Sequence, residues 1–109
     1  MDKKPKPIEF HGSSLEDLRA FPRETRSEAG LQLDRVQRGL DPDDWKPMKT
    51  IGAGVREIRI KDLSGAFRVI YLAKLEDAVH VLHCFQKKSE KTSPLDLKLA
   101  KERYKGVMK

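Results

Sequence analysis

The hydrophobic pattern of residues 54–92 predicts three short strands, at 55–61, 66–73 and 78–86. These segments are rich in Val, Ile, Phe and Tyr and are bounded by turn residues, which is the signature of strands. Residues 62–65 and 75–77 connect them and contain residue types that tolerate turn geometry. We therefore predict an antiparallel meander around which the rest of the chain is organised.

Alternation along the first two of these strands predicts which side chains share a face. In strand 55–61, one face carries Arg56, Ile58 and Ile60, and the other carries Val55, Glu57, Arg59 and Lys61. Strand 66–73 is apolar on both faces apart from Arg68, as expected of a central strand. Because burying an unpaired charge is costly, Arg68 either pairs with Glu57 or opens onto an anion site. The pattern leaves both alternatives open.

The third strand carries two of the three histidines of the chain. Alternation predicts one face with Val79, Val81, His83 and Phe85, and an opposite face with His80 and Cys84. A histidine such as His83 can serve as an acid or a base because its pKa lies near neutrality. A histidine among apolar neighbours is also often simply hydrogen-bonded within the core, and this alternative is favoured for His83.

The flanking segments predict helices and one further strand. We expect a short strand at 8–11, helices at 15–20 and 23–38, and a last helix starting at Ser93-Pro94. Apolar residues recur at helical spacing in the last two helices: Ala29, Leu33, Val36 and Leu40, and then Leu97, Ala100, Tyr104 and Val107. Residues 1–7 are predicted to be a flexible arm, and 41–54 a connecting loop anchored by Trp45. The whole is a single α+β domain over 1–109, with a mainly antiparallel sheet of about four strands.

The positive charge of the chain is confined to its second half. The 109 residues carry a net charge of +6 and are 37% charged. Residues 1–53 hold ten basic and ten acidic side chains, whereas 54–109 hold thirteen basic and seven acidic ones. A basic half beside a neutral half indicates a polyanionic partner, most often a nucleic acid, although charge can also serve solubility alone.

Several kinds of chemistry are excluded by the residues present. Cys84 is the only cysteine, so neither a disulfide framework nor a cysteine-based zinc site is expected. The three histidines do not match zinc-site spacings, and the chain has no phosphate-binding Gly-rich loop and no Gly-x-Ser-x-Gly motif. We expect no metal, no cofactor and, without an apolar run of ~20 residues or a signal peptide, a cytoplasmic protein.

Clustered Lys and Arg on a small sheet are suited to phosphodiester chemistry. Such a cluster binds phosphates and stabilises the charge that develops during cleavage. In RNA, the ribose 2′-hydroxyl supplies an internal nucleophile and also distinguishes RNA from DNA.

Four sequence blocks resemble the phage-derived HigB-like toxins of the RelE/ParE superfamily of type II toxin–antitoxin systems. They are WKPMK (45–49), GVREIRI (54–60), FRVIY (67–71) and LHCFQKK (82–88), the last followed by Lys91-Thr92. The resemblance extends from Ile8 to about Lys105 and implies a RelE-like fold. It also implies a ribosome-dependent endoribonuclease that cuts mRNA in the A site without a metal.

The resemblance implies specific roles for the basic residues. Arg68 grips phosphate and supports the transition state, assisted by Arg59, while Lys87 and Lys88 stabilise or protonate the leaving oxygen. We expect RNA contacts from Lys49, Arg56, Lys61 and Lys91. The general base stays open between His83 and Glu57. Many relatives have a tyrosine in the first turn of the last helix, where this chain has Leu95-Asp96-Leu97.

The implied partners are a HigA-like helix-turn-helix antitoxin, the ribosome and mRNA, with no membrane. Two other functions remain possible at this point. One is inhibition of DNA gyrase by protein contact, as in ParE-like toxins, which requires no catalytic residues. The other is a non-catalytic nucleic-acid-binding regulatory domain.

Overall fold

A five-stranded sheet with helices on both faces forms the body of the protein. The structure is a computed structural model that describes residues 4–109. Its elements are β1 (Ile8–Phe10), α1 (Ser14–Arg19), α2 (Arg23–Gln37), β2 (Trp45–Pro47), β3 (Val55–Asp62), β4 (Gly65–Leu72), β5 (Val79–Lys87) and α3 (Pro94–Val107). The strand order is β1-β5-β4-β3-β2, with β1 parallel to β5 and all other neighbours antiparallel. The predicted α+β class, the meander and the three helices are confirmed, and the sheet has five strands rather than four.

The additional strand is β2, which lies within the segment predicted to be a loop. It pairs antiparallel with β3, so that Trp45 is opposite Ile58 and Lys46 is opposite Glu57. Pro47 is compatible with this position because β2 is an edge strand, where a proline interrupts no ladder. The loop prediction for 41–54 was therefore wrong at residues 45–47.

Two apolar clusters lie on opposite faces of the sheet. The first packs α1 and α2 against β3, β4 and β5 and includes Ala29, Leu33, Ile58, Val69 and Val81. The second packs α3 against the other face and includes Ile70, Leu82, Phe85 and Ala100. Burial on both faces explains why β4 is apolar along nearly its whole length.

The apolar stripe of α2 ends one turn earlier than predicted. Ala29, Leu33 and Val36 are buried, whereas Leu40 is 51% exposed. Gly39 adopts a φ of 83°, a left-handed conformation that favours glycine, and there the chain leaves the helix direction. The helical spacing therefore does not continue to Leu40.

An irregularity in β5 overturns the predicted division of its side chains between faces. Ile70 is opposite His83 but Tyr71 is opposite Val81, so Leu82 is an extra residue on β5. As a result, Val79, Val81 and Cys84 pack on the face of α1 and α2, whereas Leu82 and Phe85 pack under α3. The prediction that Val79, Val81, His83 and Phe85 share a face was wrong for that reason.

Burial raises the pKa of the Cys84 thiol, which behaves as a small apolar residue.

Both ends of the described chain are tied to the sheet. Ser93 caps α3 by accepting a hydrogen bond from the backbone N–H of Asp96, and Leu97, Tyr104 and Val107 pack on the second cluster, as predicted. Lys6 donates through Nζ to the carbonyls of Ala73 and Leu75, at 2.7 and 2.8 Å. The predicted flexible arm therefore does not extend to Lys6, and residues 1–3 lie outside the described part of the chain.

No helix within residues 4–109 is long and apolar enough to cross a membrane.

Candidate nucleic-acid interface

An open groove of about 680 Å³ runs between the β2 edge, the end of β5 and the start of α3. We call it the cationic groove because four lysines line it and Glu90 is its only acidic lining residue; the lysines are Lys46, Lys49, Lys87 and Lys91. None of these lysines forms an ion pair with a residue that the structure describes. Four positive charges against one negative charge around one concave surface favour an anionic ligand.

Strand register places further basic residues on the face of the sheet that carries this groove, although Arg59 and Lys61 line a separate pocket next to acidic side chains of α2. Arg59 on β3 is directly opposite Arg68 on β4, and Ala66 lies between Lys61 on β3 and Lys87 on β5. Arg59 is exposed and forms no ion pair within residues 4–109. The face of the sheet that carries Glu57 therefore also carries a row of cations across three adjacent strands.

Arg68 is buried and paired with Glu57. Its Nε lies 3.4 Å from Oε1 of Glu57, and the two side chains are 6% and 0% exposed. Its Nη1 donates to the carbonyl oxygen of Phe67 at 3.0 Å. Both carboxylate oxygens of Glu57 lack a hydrogen-bond donor among the described residues. The guanidinium is thus held in place within the sheet, and of the two alternatives from the sequence, pairing with Glu57 is the one observed.

The electrostatic surroundings of Arg68 and Lys87 are linked. Burial lowers the pKa of Arg68, although a guanidinium stays protonated at any physiological pH. Burial, followed by the positive charge of Arg68, lowers the pKa of Lys87, while the charge of Glu57 acts in the opposite direction. An ammonium group with a lowered pKa is a stronger acid and gives up its proton more readily.

Two basic residues expected at the site lie elsewhere. The guanidinium of Arg56 stacks over the ring of Trp45 at 3.9 Å and pairs with Asp41 at 2.8 Å. Alternation along β3 places Arg56 on the side of α2, opposite to Glu57 and Arg59. Lys88 lines a separate pocket beside α1, together with Asp17 and Asp96.

His83 is a buried, hydrogen-bonded residue. Its Nε2 lies 2.7 Å from Oδ1 of Asp96, and its Nδ1 lies 3.1 Å from Nη1 of Arg103. The ring stacks on Phe85, with centroids 5.1 Å apart. With both nitrogens engaged, the imidazole fixes α3 to β5, and neither His83 nor the fully buried Glu57 presents a free basic atom to the cationic groove.

Lys46 is a groove residue absent from the set expected to contact RNA. Its segment was predicted to be a loop, so no face could be assigned to it. The pairing of Lys46 with Glu57 places it on the face of the cationic groove. The alternation of Trp45, Lys46 and Pro47 is the signal that could have located it, because successive side chains of a strand point to opposite faces.

Comparison with solved structures identifies the class of fold that carries this groove. The chain has the fold of the Escherichia coli toxin RelE, to which it aligns with a TM-score of 0.62 at 15% identity. That structure is an arginine-to-alanine double mutant in the free state, and the alignment covers 94% of this chain and 98% of the RelE chain.

The chain belongs to the Gp49-like family of phage-derived proteins (DUF891), whose family model matches residues 16–105. The expected phage-derived family and RelE-like fold are thereby confirmed. No curated protein matches the sequence.

Proposed function

We propose that this protein is the toxin of a type II toxin–antitoxin system and acts as a metal-independent endoribonuclease on mRNA at the ribosome. The observation that carries the proposal is the cationic groove, together with the exposed Arg59 and the buried Arg68 on the same face of the sheet. The RelE fold and the phage-derived family support it. Inhibition of gyrase by protein contact alone would not require phosphate-directed cations in one groove.

The groove would hold the RNA backbone on both sides of the scissile bond. Lys46 and Lys49 line its β2 side, and Lys87 and Lys91 line the side formed by β5 and the loop that follows. Contacts from lysine to phosphate are independent of sequence and supply affinity. In this proposal the groove does not determine where the mRNA is cut. The ribosome does so, because it places one codon of the mRNA at the toxin.

The reaction would begin with attack of a ribose 2′-oxygen on the adjacent phosphorus, while the proton of the 2′-hydroxyl passes to solvent water. The bond to the 5′-oxygen then breaks, which gives a 2′,3′-cyclic phosphate and a 5′-hydroxyl. Negative charge develops on the non-bridging oxygens, where fixed positive groups stabilise the transition state more than the ground state. Because Arg68 is nearly buried, we assign the direct phosphate contact to the exposed Arg59 and assign to Arg68 a fixed positive charge beneath it.

Lys87 is the best candidate to protonate the leaving 5′-oxygen. It lines the groove, and its pKa is lowered by burial and by the charge of Arg68. Lys88 lines another pocket, together with Asp17 and Asp96. Since His83 and Glu57 are buried and face no solvent-exposed part of the groove, we do not assign either of them the role of general base.

The proposed partners are a helix-turn-helix antitoxin, the ribosome and its mRNA. The antitoxin would bind the toxin and repress their shared operon. A helix-turn-helix reading frame next to this gene is the corresponding genetic expectation.

Cleavage of mRNA by the purified protein, with and without bacterial ribosomes, tests the proposal. We expect cleavage of mRNA whose codon occupies the A site and none of the same mRNA free in solution. Gyrase supercoiling is measured in parallel. Inhibited supercoiling without RNA cleavage would replace the proposal by the ParE-like function, and RNA binding with neither activity would replace it by a non-catalytic domain.

A further inference from the structure

Two histidines that are distant in sequence meet at the end of the sheet that lies away from the cationic groove. The parallel pairing of β1 with β5 places Glu9 directly opposite His80. His11 follows β1, and its backbone N–H donates to the carbonyl of Val81. Nε2 of His11 lies 2.9 Å from Nδ1 of His80, and Oε2 of Glu9 lies 3.7 Å from that same Nδ1. We call Glu9, His11 and His80 the histidine cluster.

Asp77 determines which nitrogen of His80 faces the cluster. Its Oδ1 lies 3.2 Å from Nε2 of His80. A carboxylate only accepts, so Nε2 carries the hydrogen and Nδ1 presents a lone pair towards His11 and Glu9. A carboxylate that orients a histidine in this way is the usual outer partner of a metal-binding imidazole.

The spacing of the three ligand atoms matches that around a small divalent ion. Two ligands at about 2.05 Å from a tetrahedral zinc ion lie roughly 3.3 Å apart. The separations of 2.9 and 3.7 Å bracket this value, and the three ligand atoms all lie within 4.8 Å of one another. Binding would require His11 to move its proton from Nε2 to Nδ1, with no net change in protons.

The charges around the cluster permit a cation. Glu9 and Asp77 contribute two negative charges, and both are solvent-accessible. Arg103 is a positive group whose charge acts on His11, and its guanidinium is already held by the carbonyl of Leu82, by His83 and by the hydroxyl of Ser13. The surroundings of the two neutral imidazoles therefore carry a net charge of about −1 before any ion binds.

We propose that Glu9, His11 and His80 bind a divalent transition-metal ion of the zinc type, with Asp77 orienting His80. Two imidazoles and one carboxylate are ligands that suit such an ion, and the remaining position would be taken by water. His80 and Lys87 are seven positions apart on the extended strand β5, a distance of roughly 23 Å, so the ion takes no part in RNA cleavage. It would join the three-residue strand β1 to β5 and stabilise this edge of the sheet.

Competition of untagged protein with a chromogenic zinc chelator measures this binding directly. Wild type is expected to withdraw one Zn²⁺ per chain, and added Zn²⁺ is expected to raise the melting temperature because it binds the folded state. His80→Asn should abolish both effects. Asp77→Asn, which changes an exposed side chain and leaves the fold intact, should weaken Zn²⁺ affinity about 10- to 100-fold.

His83→Gln is the matched control, since it removes the histidine of β5 that lies outside the cluster. This variant should bind Zn²⁺ as wild type does. Absence of Zn²⁺ binding by wild type overturns the proposal, and so does equal affinity in wild type and Asp77→Asn. A loss in His83→Gln as large as that in His80→Asn would also refute it, because the ion would then be bound elsewhere. None of these results depends on nuclease activity, so the proposed function stands or fails separately.

Discussion

The buried pair of Glu57 and Arg68 links the stability of the sheet to the charge of the site. A carboxylate and a guanidinium that are almost fully enclosed stabilise each other, but each is costly when left alone. Arg68→Ala should therefore lower the free energy of unfolding by roughly 3–5 kcal/mol, measured by urea denaturation. It should also lower the cleavage rate about 100-fold or more, because the positive charge below the phosphate is lost.

The double variant Glu57→Leu/Arg68→Leu separates these two effects. Replacing both members of a buried ion pair by apolar residues is often neutral or stabilising, so stability should return towards wild type. Cleavage should stay as low as in Arg68→Ala. Recovery of the cleavage rate together with stability would show that Arg68 is only structural.

Proton donation by Lys87 predicts a particular pH dependence. The reactive form is the protonated ammonium, and its pKa lies below the ordinary value for lysine. As pH rises through that lowered pKa, the proton is lost and the contribution of Lys87 to the rate falls. Lys87→Arg keeps the charge but does not titrate, so the ratio of wild-type to Lys87→Arg cleavage rates should decrease towards alkaline pH.

Replacement of Lys87 and of its neighbour tests the same assignment at constant pH. Lys87→Ala should lower the cleavage rate about 100-fold. Lys88→Ala removes the same charge from a side chain that lines another pocket and should have a much smaller effect. Equal losses would contradict the distinction between these two lysines.

The role of His83 can be tested through its partner. Asp96→Ala leaves Nε2 of a buried imidazole without its 2.7 Å hydrogen bond. We expect a loss of about 1–3 kcal/mol in unfolding free energy, since an unsatisfied buried polar group carries that cost. The cleavage rate measured well below the melting temperature should change little. A rate loss without a stability loss would instead favour a catalytic His83.

At the scale of elements, strand β3 offers two arginines on opposite faces. Arg59 lies on the face of the sheet that carries the cationic groove, whereas Arg56 is stacked on Trp45 and paired with Asp41. Arg59→Ala should therefore weaken binding of single-stranded RNA and reduce the slope of log affinity against log salt by about 0.7. Arg56→Ala is the matched control and should leave that slope unchanged. Fluorescence anisotropy at several salt concentrations measures both, and an equal effect of the two changes would contradict the assignment of faces.

Local sequence signals predicted most elements but not their irregularities. Segments rich in Val, Ile, Phe and Tyr, bounded by turn residues, located β3, β4 and β5, and the Ser93-Pro94 start located α3. Strand β2 was missed because it has only three residues and ends on Pro47, so that its alternation is too short to stand out in the sequence. The extra residue Leu82 was missed because an irregular pairing depends on the neighbouring strand, and it reversed the expected face for Val79 and Val81.

Contacts between distant segments account for the remaining differences at the site. The composition placed the positive charge in residues 54–109, and the resemblance singled out Arg59, Arg68, Lys87 and Lys88. Neither could show that Lys46 joins them, because that depends on β2 pairing with β3. The contact between His11 and His80 likewise depends on the parallel pairing of β1, the first strand of the chain, with β5, the last. No local sequence pattern predicts that pairing.

At the scale of the whole molecule, the sheet separates two regions of different chemistry. The end of β5 and the β2 edge form the cationic groove, while the beginning of β5 and β1 form the histidine cluster. The first region is proposed to act on RNA and the second to hold the N-terminal strand. Lys105, exposed on α3 and outside the groove, provides a charge-matched control for changes in the groove.

Primer extension on mRNA from cells that express the protein tests the central claim most directly. Wild type and Lys105→Ala should arrest growth and produce cuts that follow the reading frame of translated mRNAs, whereas Lys87→Ala and Glu57→Leu/Arg68→Leu should produce few or none. Growth arrest without cuts, or cuts distributed equally over translated and untranslated RNA, would contradict a ribosome-dependent nuclease centred on this groove.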